Sequence, residues 1–399
     1  MDQPDLESAD LCRGRLARLR GELIKRDLLG CVLLDPHDIR YATGARNMLP
    51  FMLRNPARYL FVAAEGPCIL FEYDGCYHLA AGLDTIDEIR PATTVSYPAS
   101  GPRLDDNARR WAAEIADLAR RHGGGNRRLA IGRVGPTAAA ALAAEGFDLS
   151  DVQEPVERAR AIKTPQELDV IRHSIASVAR AMDEMRADLR PGITENALWS
   201  RLHQSVIAQG ADYIETRLLN SGPRTNPWFQ ETGARRLEAG DLVAHDTDVV
   251  GPGGYYADFS RTFLCGEGRP SGTQRDLYRL AWEQVHHNMA LIKPGRSFRE
   301  IAEAAWPIPE PYVANRYFVL MHGVGLTGEY PYILHAMDFD AHGYDGVIEP
   351  NMTLCVESFI GDESGGEGVK LEQQVLVTET GVELLSPYPF DDTLLGREV

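Results

Sequence analysis

The chain has 399 residues and 44.1 kDa, with 44% apolar and 25% charged residues. That is the balance of a folded protein of two or three domains at roughly 100–200 residues each, and it excludes a disordered chain. Acidic residues outnumber basic ones by 58 to 41 for a formal charge of −17, a field that repels phosphate and so argues against nucleic acid and anionic membrane surfaces as partners.

The segment Met1–Glu7 is acidic and lacks the basic-then-apolar order of a signal peptide. No apolar run approaches the roughly 20 residues of a spanning helix. The six cysteines (Cys12, Cys31, Cys68, Cys76, Cys265, Cys355) are scattered, with no C-x-x-C pair, and read as thiols in a reducing compartment. The cytoplasm is the expected location.

Arg13–Arg26 is helical, and strand-like runs follow at 31–34, 59–63 and 68–71. An amphipathic helix is expected over Asp105–His122, ended by Gly123-Gly124-Gly125-Asn126, with a strand at 129–132. Alternation of this kind indicates an α/β domain over residues 1–155. A boundary lies near Val152–Thr164. There Thr164 caps and Pro165 opens a long helix, which begins a second domain over 156–399.

The second domain contains a repeat. Helix 166–188 leads into Leu189-Arg190-Pro191-Gly192-Ile193-Thr194, then a helix; helix 274–291 leads into Ile292-Lys293-Pro294-Gly295-Arg296-Ser297, then a helix. Two such copies about a hundred residues apart predict a pseudo-twofold domain of two α/β halves.

The densest chemistry begins at Asp246-Thr247-Asp248, followed by the turn Gly251-Pro252-Gly253-Gly254 and then Tyr256-Ala257-Asp258. This reads as a β-hairpin. A three-residue loop at 251–253 would pair Val250 with Gly254, Asp248 with Tyr256 and Asp246 with Asp258. All three carboxylates would then crowd one face. Like charges that close need protonation or a cation. His322 lies where an apolar strand meets a Gly-rich bend, and Glu357 and Glu372 are acids in strand-like runs. Buried carboxylates are nearly always paired or metal-bound. Carboxylates with one imidazole suit divalent Mn, Fe, Zn or Co.

The order Asp, Asp, His, Glu, Glu, together with Asp258-Phe259-Ser260-Arg261-Thr262-Phe263 and Leu371-Glu372-Gln373-Gln374-Val375-Leu376-Val377-Thr378, resembles the pita-bread metalloenzymes of family M24. These include methionine and Xaa-Pro aminopeptidases, prolidases and creatinases. The resemblance implies an α/β (α+β) fold with a creatinase-type N-terminal domain and a pita-bread catalytic domain, two divalent metal ions and a homodimer.

Three positions depart from the peptidases of that family. Thr247 stands eleven residues before Asp258, where peptidases have their first aspartate; Trp228 lies in Pro227-Trp228-Phe229, and Glu329 follows His322 by seven, where peptidases have histidines. Those histidines stabilise or protonate the tetrahedral intermediate of amide hydrolysis. The pattern is similar to the dimethylsulfoniopropionate lyases of pita-bread type (the DddP group), at Ser221–Gln230 and Met321–Pro331. This resemblance implies metal ligands at Asp246, Asp248, Asp258, His322, Glu357 and Glu372. It also implies a small carboxylate substrate whose sulfonium would favour aromatic faces at Trp228, Phe229, Tyr317, Tyr330 and Tyr332. The lyases carry their aspartate base where this chain has Gly328. Glu329, the Tyr317 phenol or a metal-bound hydroxide are the candidates to replace it. The expectation is weak C–S cleavage, with a gain on Gly328→Asp. The alternatives are an Xaa-Pro dipeptidase or aminopeptidase-type hydrolase, and a non-catalytic binding module on the same fold.

Overall fold

The computed structural model describes residues 6–397, so the acidic N-terminal stretch falls largely outside the described residues. The chain divides into two compact units between Arg160 and Ala161. Among the described residues, no helix is long and apolar enough to cross a membrane.

The first unit carries a six-stranded sheet. Its strands are β1 (Gly30–Leu33), β2 (Tyr59–Ala63), β3 (Cys68–Glu72), β4 (Glu88–Pro91), β5 (Arg128–Ile131) and β6 (Asp148–Asp151), in the order β4-β3-β2-β1-β5-β6. The helix Leu104–His122 presents Trp111, Ala112, Ile115, Ala116 and Ala119 at spacings of one, three and four. This buried stripe packs on Val32, Tyr59, Phe61 and Phe71 of the sheet. The ring of Tyr59 stacks on that of Phe71 at 4.5 Å.

The second unit opens with the helix Pro165–Ala187. Thr164 accepts from the Glu167 backbone while the Glu167 side chain accepts from the Thr164 backbone, a reciprocal cap that satisfies two otherwise orphaned donors. The repeat is visible in the backbone. After each long helix a glycine with positive φ (Gly192 at 88°, Gly295 at 83°) makes the turn. A hydroxyl residue then caps the next helix (Thr194 for Glu195–Ala208, Ser297 for Phe298–Ala304) and forms a β-bridge, to Arg236 and to Val347 respectively.

The remaining strands are β7 (Tyr213–Ile214), β8 (Leu219–Ser221), β9 (Leu242–His245), β10 (Val249–Val250), β11 (Tyr256–Ala257), β12 (Arg261–Leu264), β13 (Met321–Val324), β14 (Gly328–Ile333), β15 (Thr353–Gly361), β16 (Gly368–Val377) and β17 (Val382–Leu384). They form sheets in the orders β11-β10-β7, β12-β9-β8 and β14-β13-β15-β16-β17. Every residue of β15 and β16 is buried. One side of this pair carries Ile360, Val369 and Leu371, covered by Leu277, Tyr278, Ala281 and Val285 of the helix Gly272–Leu291. That covered sheet holds His322, Glu357 and Glu372 rigidly in register.

Candidate functional site

The hairpin that starts the acidic cluster forms, but its register differs from the expected one. Val250 pairs with Tyr256 and Val249 with Ala257, so the loop runs over 251–255. The turn is set by Gly253 and Gly254, with φ of 81° and 79°, conformations that glycine adopts without steric cost. The same register resumes where His245 pairs with Arg261. The shift is two residues, and an even shift keeps each side chain on its face. The acids therefore still converge. Between the two ladders the Thr247 hydroxyl donates to the Ala257 carbonyl at 2.9 Å and accepts from the Phe259 amide at 3.0 Å. Those bonds hold Asp246, Asp248 and Asp258 where the regular pairing stops.

On the other wall, Glu357 is the cross-strand partner of Glu372, and His322 lies on the adjacent strand beside Cys355. His322 Nδ1 is 2.9 Å from its neighbour's carbonyl at Gly323. That bond assigns the ring proton to Nδ1 and aims Nε2 at the acids. Nε2 stands 3.3 Å from Glu357 Oε1, 3.7 Å from Asp258 Oδ2 and 3.8 Å from Glu372 Oε1. Donor atoms of Asp246, Asp248 and Asp258 lie within 4.8 Å of one another, and so do those of Asp258, His322, Cys355 and Glu372. Asp258 belongs to both groups.

Lys370, which the sequence reading did not single out, is fully buried among these acids. Its Nζ is 2.5 Å from Glu357 Oε2, 3.2 Å from Glu372 Oε2 and 3.3 Å from Asp246 Oδ2. It also donates to Ser260 Oγ at 2.7 Å, and that oxygen lies 2.7 Å from both Asp246 Oδ1 and Glu372 Oε2. The Thr216 hydroxyl donates to Asp248. Asp258 Oδ1 and Glu372 Oε1 are buried with no hydrogen-bond partner among the described residues. Buried, unpaired carboxylate oxygens are costly, and two of them beside an imidazole nitrogen fit a divalent cation.

The electrostatics agree. Burial and the neighbouring carboxylates push Asp258 and Glu372 well above the ordinary carboxylate range. Burial and Asp246 raise Asp248 to about 8. Asp246 is held low: burial would raise it, but Lys370 and the Ser260 hydroxyl outweigh burial. Burial would lower His322, and Glu357 reverses that. In the metal-free folded protein these acids thus hold more protons than in the unfolded chain from the ordinary carboxylate range of about 4 up to about 8. Their contribution to stability falls as pH rises through that window, and a bound divalent ion removes that slope. Thermal unfolding of chelator-treated protein is expected to show a midpoint several degrees lower at pH 8 than at pH 5. Divalent metal should abolish this difference. A midpoint that rises over that range without metal would contradict the charge balance described here.

An aromatic row borders the cluster. Trp228 is buried against Leu218, Ala244 and Phe359. Ring centroids then follow at 6.5 Å for Trp228–Phe229, 5.3 Å for Phe229–Tyr317, 5.1 Å for Tyr317–Phe318, 6.3 Å for Phe318–Tyr332 and 5.8 Å for Tyr332–His322. Phe229 and Phe318 are 53% and 52% exposed. Phe229 holds a φ of 69°, a costly conformation for a bulky side chain and one that clusters at functional sites. Lys370 Nζ sits 4.6 Å from the Tyr317 ring centre.

Two expectations are corrected. Tyr330 does not join this row: its ring stacks on Tyr344 at 5.8 Å and lies 6.0 Å from Phe298. The reason is a register shift in the β13–β14 ladder. His322 pairs with Tyr332 and Gly323 with Glu329, so the ladder steps over Tyr330 and Pro331. Glu329 is not a replacement base in the cluster either. Its carboxylate binds the Lys163 ammonium, both side chains being almost fully buried, on the strand face opposite its neighbour Gly328.

Residues 169–379 match metallopeptidase family M24. The dimethylsulfoniopropionate lyase DddP of Roseovarius nubinhibens is 37% identical over 399 residues, covering 99% of this chain and 89% of that protein. The probable dipeptidase PepE of Mycobacterium tuberculosis is 27% identical over 239 residues, 59% of this chain and 61% of that one. Among solved structures, the Xaa-Pro dipeptidase from Bacillus anthracis superposes with a TM-score of 0.75 at 20% identity, over 95% of this chain and 99% of that chain. That likeness is one of fold.

Proposed function

The chain belongs to metallopeptidase family M24, a family of metal-dependent enzymes, and from that premise we propose that it is a C–S lyase acting on a small carboxylate that carries a sulfonium group, dimethylsulfoniopropionate or a close relative. The observation that carries the reading is the aromatic row running from the acid cluster to the exposed rings of Phe229 and Phe318. The 37% identity to a dimethylsulfoniopropionate lyase over nearly the whole chain supports it.

Asp246, Asp248, Asp258, His322, Glu357 and Glu372 are the proposed metal ligands, with Asp258 shared between two ion positions because it belongs to both close-packed groups. Of the five carboxylates in this set, the Lys370 ammonium meets three, Asp246, Glu357 and Glu372, and the uncompensated charge matches two divalent ions. Such ions supply positive charge to a substrate carboxylate and acidify its α-hydrogen.

The protein's own groups do the rest. Lys370 and Ser260 fix the orientations of Asp246, Glu357 and Glu372. The Gly323 carbonyl fixes the His322 ring. The aromatic faces of Phe229, Phe318 and Tyr332 hold the sulfonium, an attraction of roughly 0.5–2 kcal/mol per contact. Peptide hydrolysis lacks its equipment here: Trp228 is a buried packing residue and Glu329 is bound to Lys163.

The test is a headspace assay for dimethyl sulfide from metal-loaded protein, beside hydrolysis of Gly-Pro and Ala-Pro. Metal-dependent release is expected, with dipeptide turnover weaker by about 10²-fold or more. Rapid dipeptide cleavage without dimethyl sulfide would overturn the reading in favour of a dipeptidase.

A further inference from the structure

We propose that the Tyr332 hydroxyl is the catalytic group that takes the substrate's α-proton, an inference that rests on the C–S lyase reading above.

Tyr332 lies directly across the β13–β14 ladder from His322, and cross-strand partners share a face. Its ring centre is 5.8 Å from that of His322 on one side and 6.3 Å from that of Phe318 on the other. A substrate with its carboxylate at the acid cluster and its sulfonium against the exposed aromatic rings must place its two connecting carbons between those ends. Tyr332 spans that interval.

The space in front of Gly328 shows where the hydroxyl points. A methyl group there would lie 3.5 Å from Tyr332 Oη, 3.9 Å from His322 Nδ1 and 4.0 Å from His322 Cε1. These are ordinary van der Waals contacts, so the missing side chain leaves room beside the imidazole, and the phenol oxygen borders that room. A carboxylate at position 328 would reach the same place.

The other phenol of the row, Tyr317, has its ring centre 4.6 Å from the Lys370 ammonium, and burial and the neighbouring acids hold it well above the ordinary phenol range. Glu329 is bound to Lys163, Lys370 is sealed among three carboxylates, and the Cys355 thiol points at the Asp258 carbonyl at 3.5 Å. Tyr332 is 38% exposed, which gives both substrate and water access to it. The weak cleavage expected from Gly328 alone therefore gives way to cleavage supported by Tyr332.

The step balances as follows. The α-proton moves to Oη of Tyr332 in its phenolate form, and the phenol so formed returns that proton to solvent after the products leave. The C–H electron pair becomes the Cα=Cβ bond, and the Cβ–S pair leaves with sulfur as neutral dimethyl sulfide. Acrylate remains.

The experiment compares metal-loaded wild type, Y332F and the double variant Y332F/G328D for dimethyl sulfide release, KM and bound metal. Loss of the proton acceptor is expected to lower kcat by about 10²-fold or more, with KM and metal content unchanged. Restoring a carboxylate next to His322 in the double variant is expected to recover about tenfold of it. An active wild type with Y332F at the same kcat would overturn Tyr332 and leave the lyase reading standing. A loss of kcat that merely tracks loss of metal would overturn it too. No release from wild type would overturn the lyase reading, and this inference with it.

Discussion

Asp258→Asn is expected to abolish turnover while leaving the metal-free protein at least as stable as wild type. Asp258 belongs to both close-packed donor groups, and its Oδ1 is buried without a partner among the described residues. Removing a group that only steadies a metal ligand typically costs 10–100-fold in affinity or activity, so losing the ligand we propose to be shared should cost more than about 10²-fold. The stability effect has the opposite sign. Burial and the carboxylates of Glu372, Asp248 and Asp246 hold Asp258 well above its ordinary range. A carboxylate raised in this way destabilises the folded chain at pH values above its unfolded pKa. A neutral amide of the same size removes that repulsion. Activity should vanish and the metal-free melting temperature at pH 8 should hold or rise. A lower metal-free midpoint would show that Asp258 is a structural acid rather than one kept for a cation.

Lys370→Met should do the reverse. The ammonium is buried against Glu357, Glu372 and Asp246, and methionine fills similar space without charge. Removing one partner of a buried ion pair costs about 3–5 kcal/mol, because the other charge is left without compensation. In a unit of this size, 1 kcal/mol moves the midpoint by about 2–4 °C, so chelator-treated K370M should melt about 10 °C below chelator-treated wild type. Divalent metal supplies charge to the same carboxylates and should close part of the gap. Lys370→Arg, which keeps the charge, should lose much less. Equal midpoints for the metal-free wild type and K370M would contradict the role given to Lys370.

Much of the site was legible because its acids sit in apolar strands where nothing nearby in sequence could pair with them. The hairpin register was read two residues off, yet the acids converge, because side-chain alternation has a period of two. What was not legible depends on contacts between distant segments. Lys370 reads as an ordinary strand lysine until Asp246, Glu357 and Glu372 fold around it. Cys355 enters only as the strand partner of His322, and Phe318 only by its rings' neighbours. Tyr330 was misplaced by a register shift that no local pattern announces. In the first unit, strands β4 and β6 lie at the two edges of their sheet. Their sequences, Glu88-Ile89-Arg90-Pro91 and Asp148-Leu149-Ser150-Asp151, are too polar to show the apolar runs that marked the inner strands.

Elemental analysis after equilibrium dialysis reads directly whether this cluster holds the two divalent ions proposed for it. Wild-type protein dialysed against manganese or iron(II) and then freed of loose metal should retain about two ions per chain, as dinuclear sites do. The variant D246N/D258N/E372Q should retain none. Wild type that retains no metal, or a triple variant that retains as much as wild type, would contradict the account.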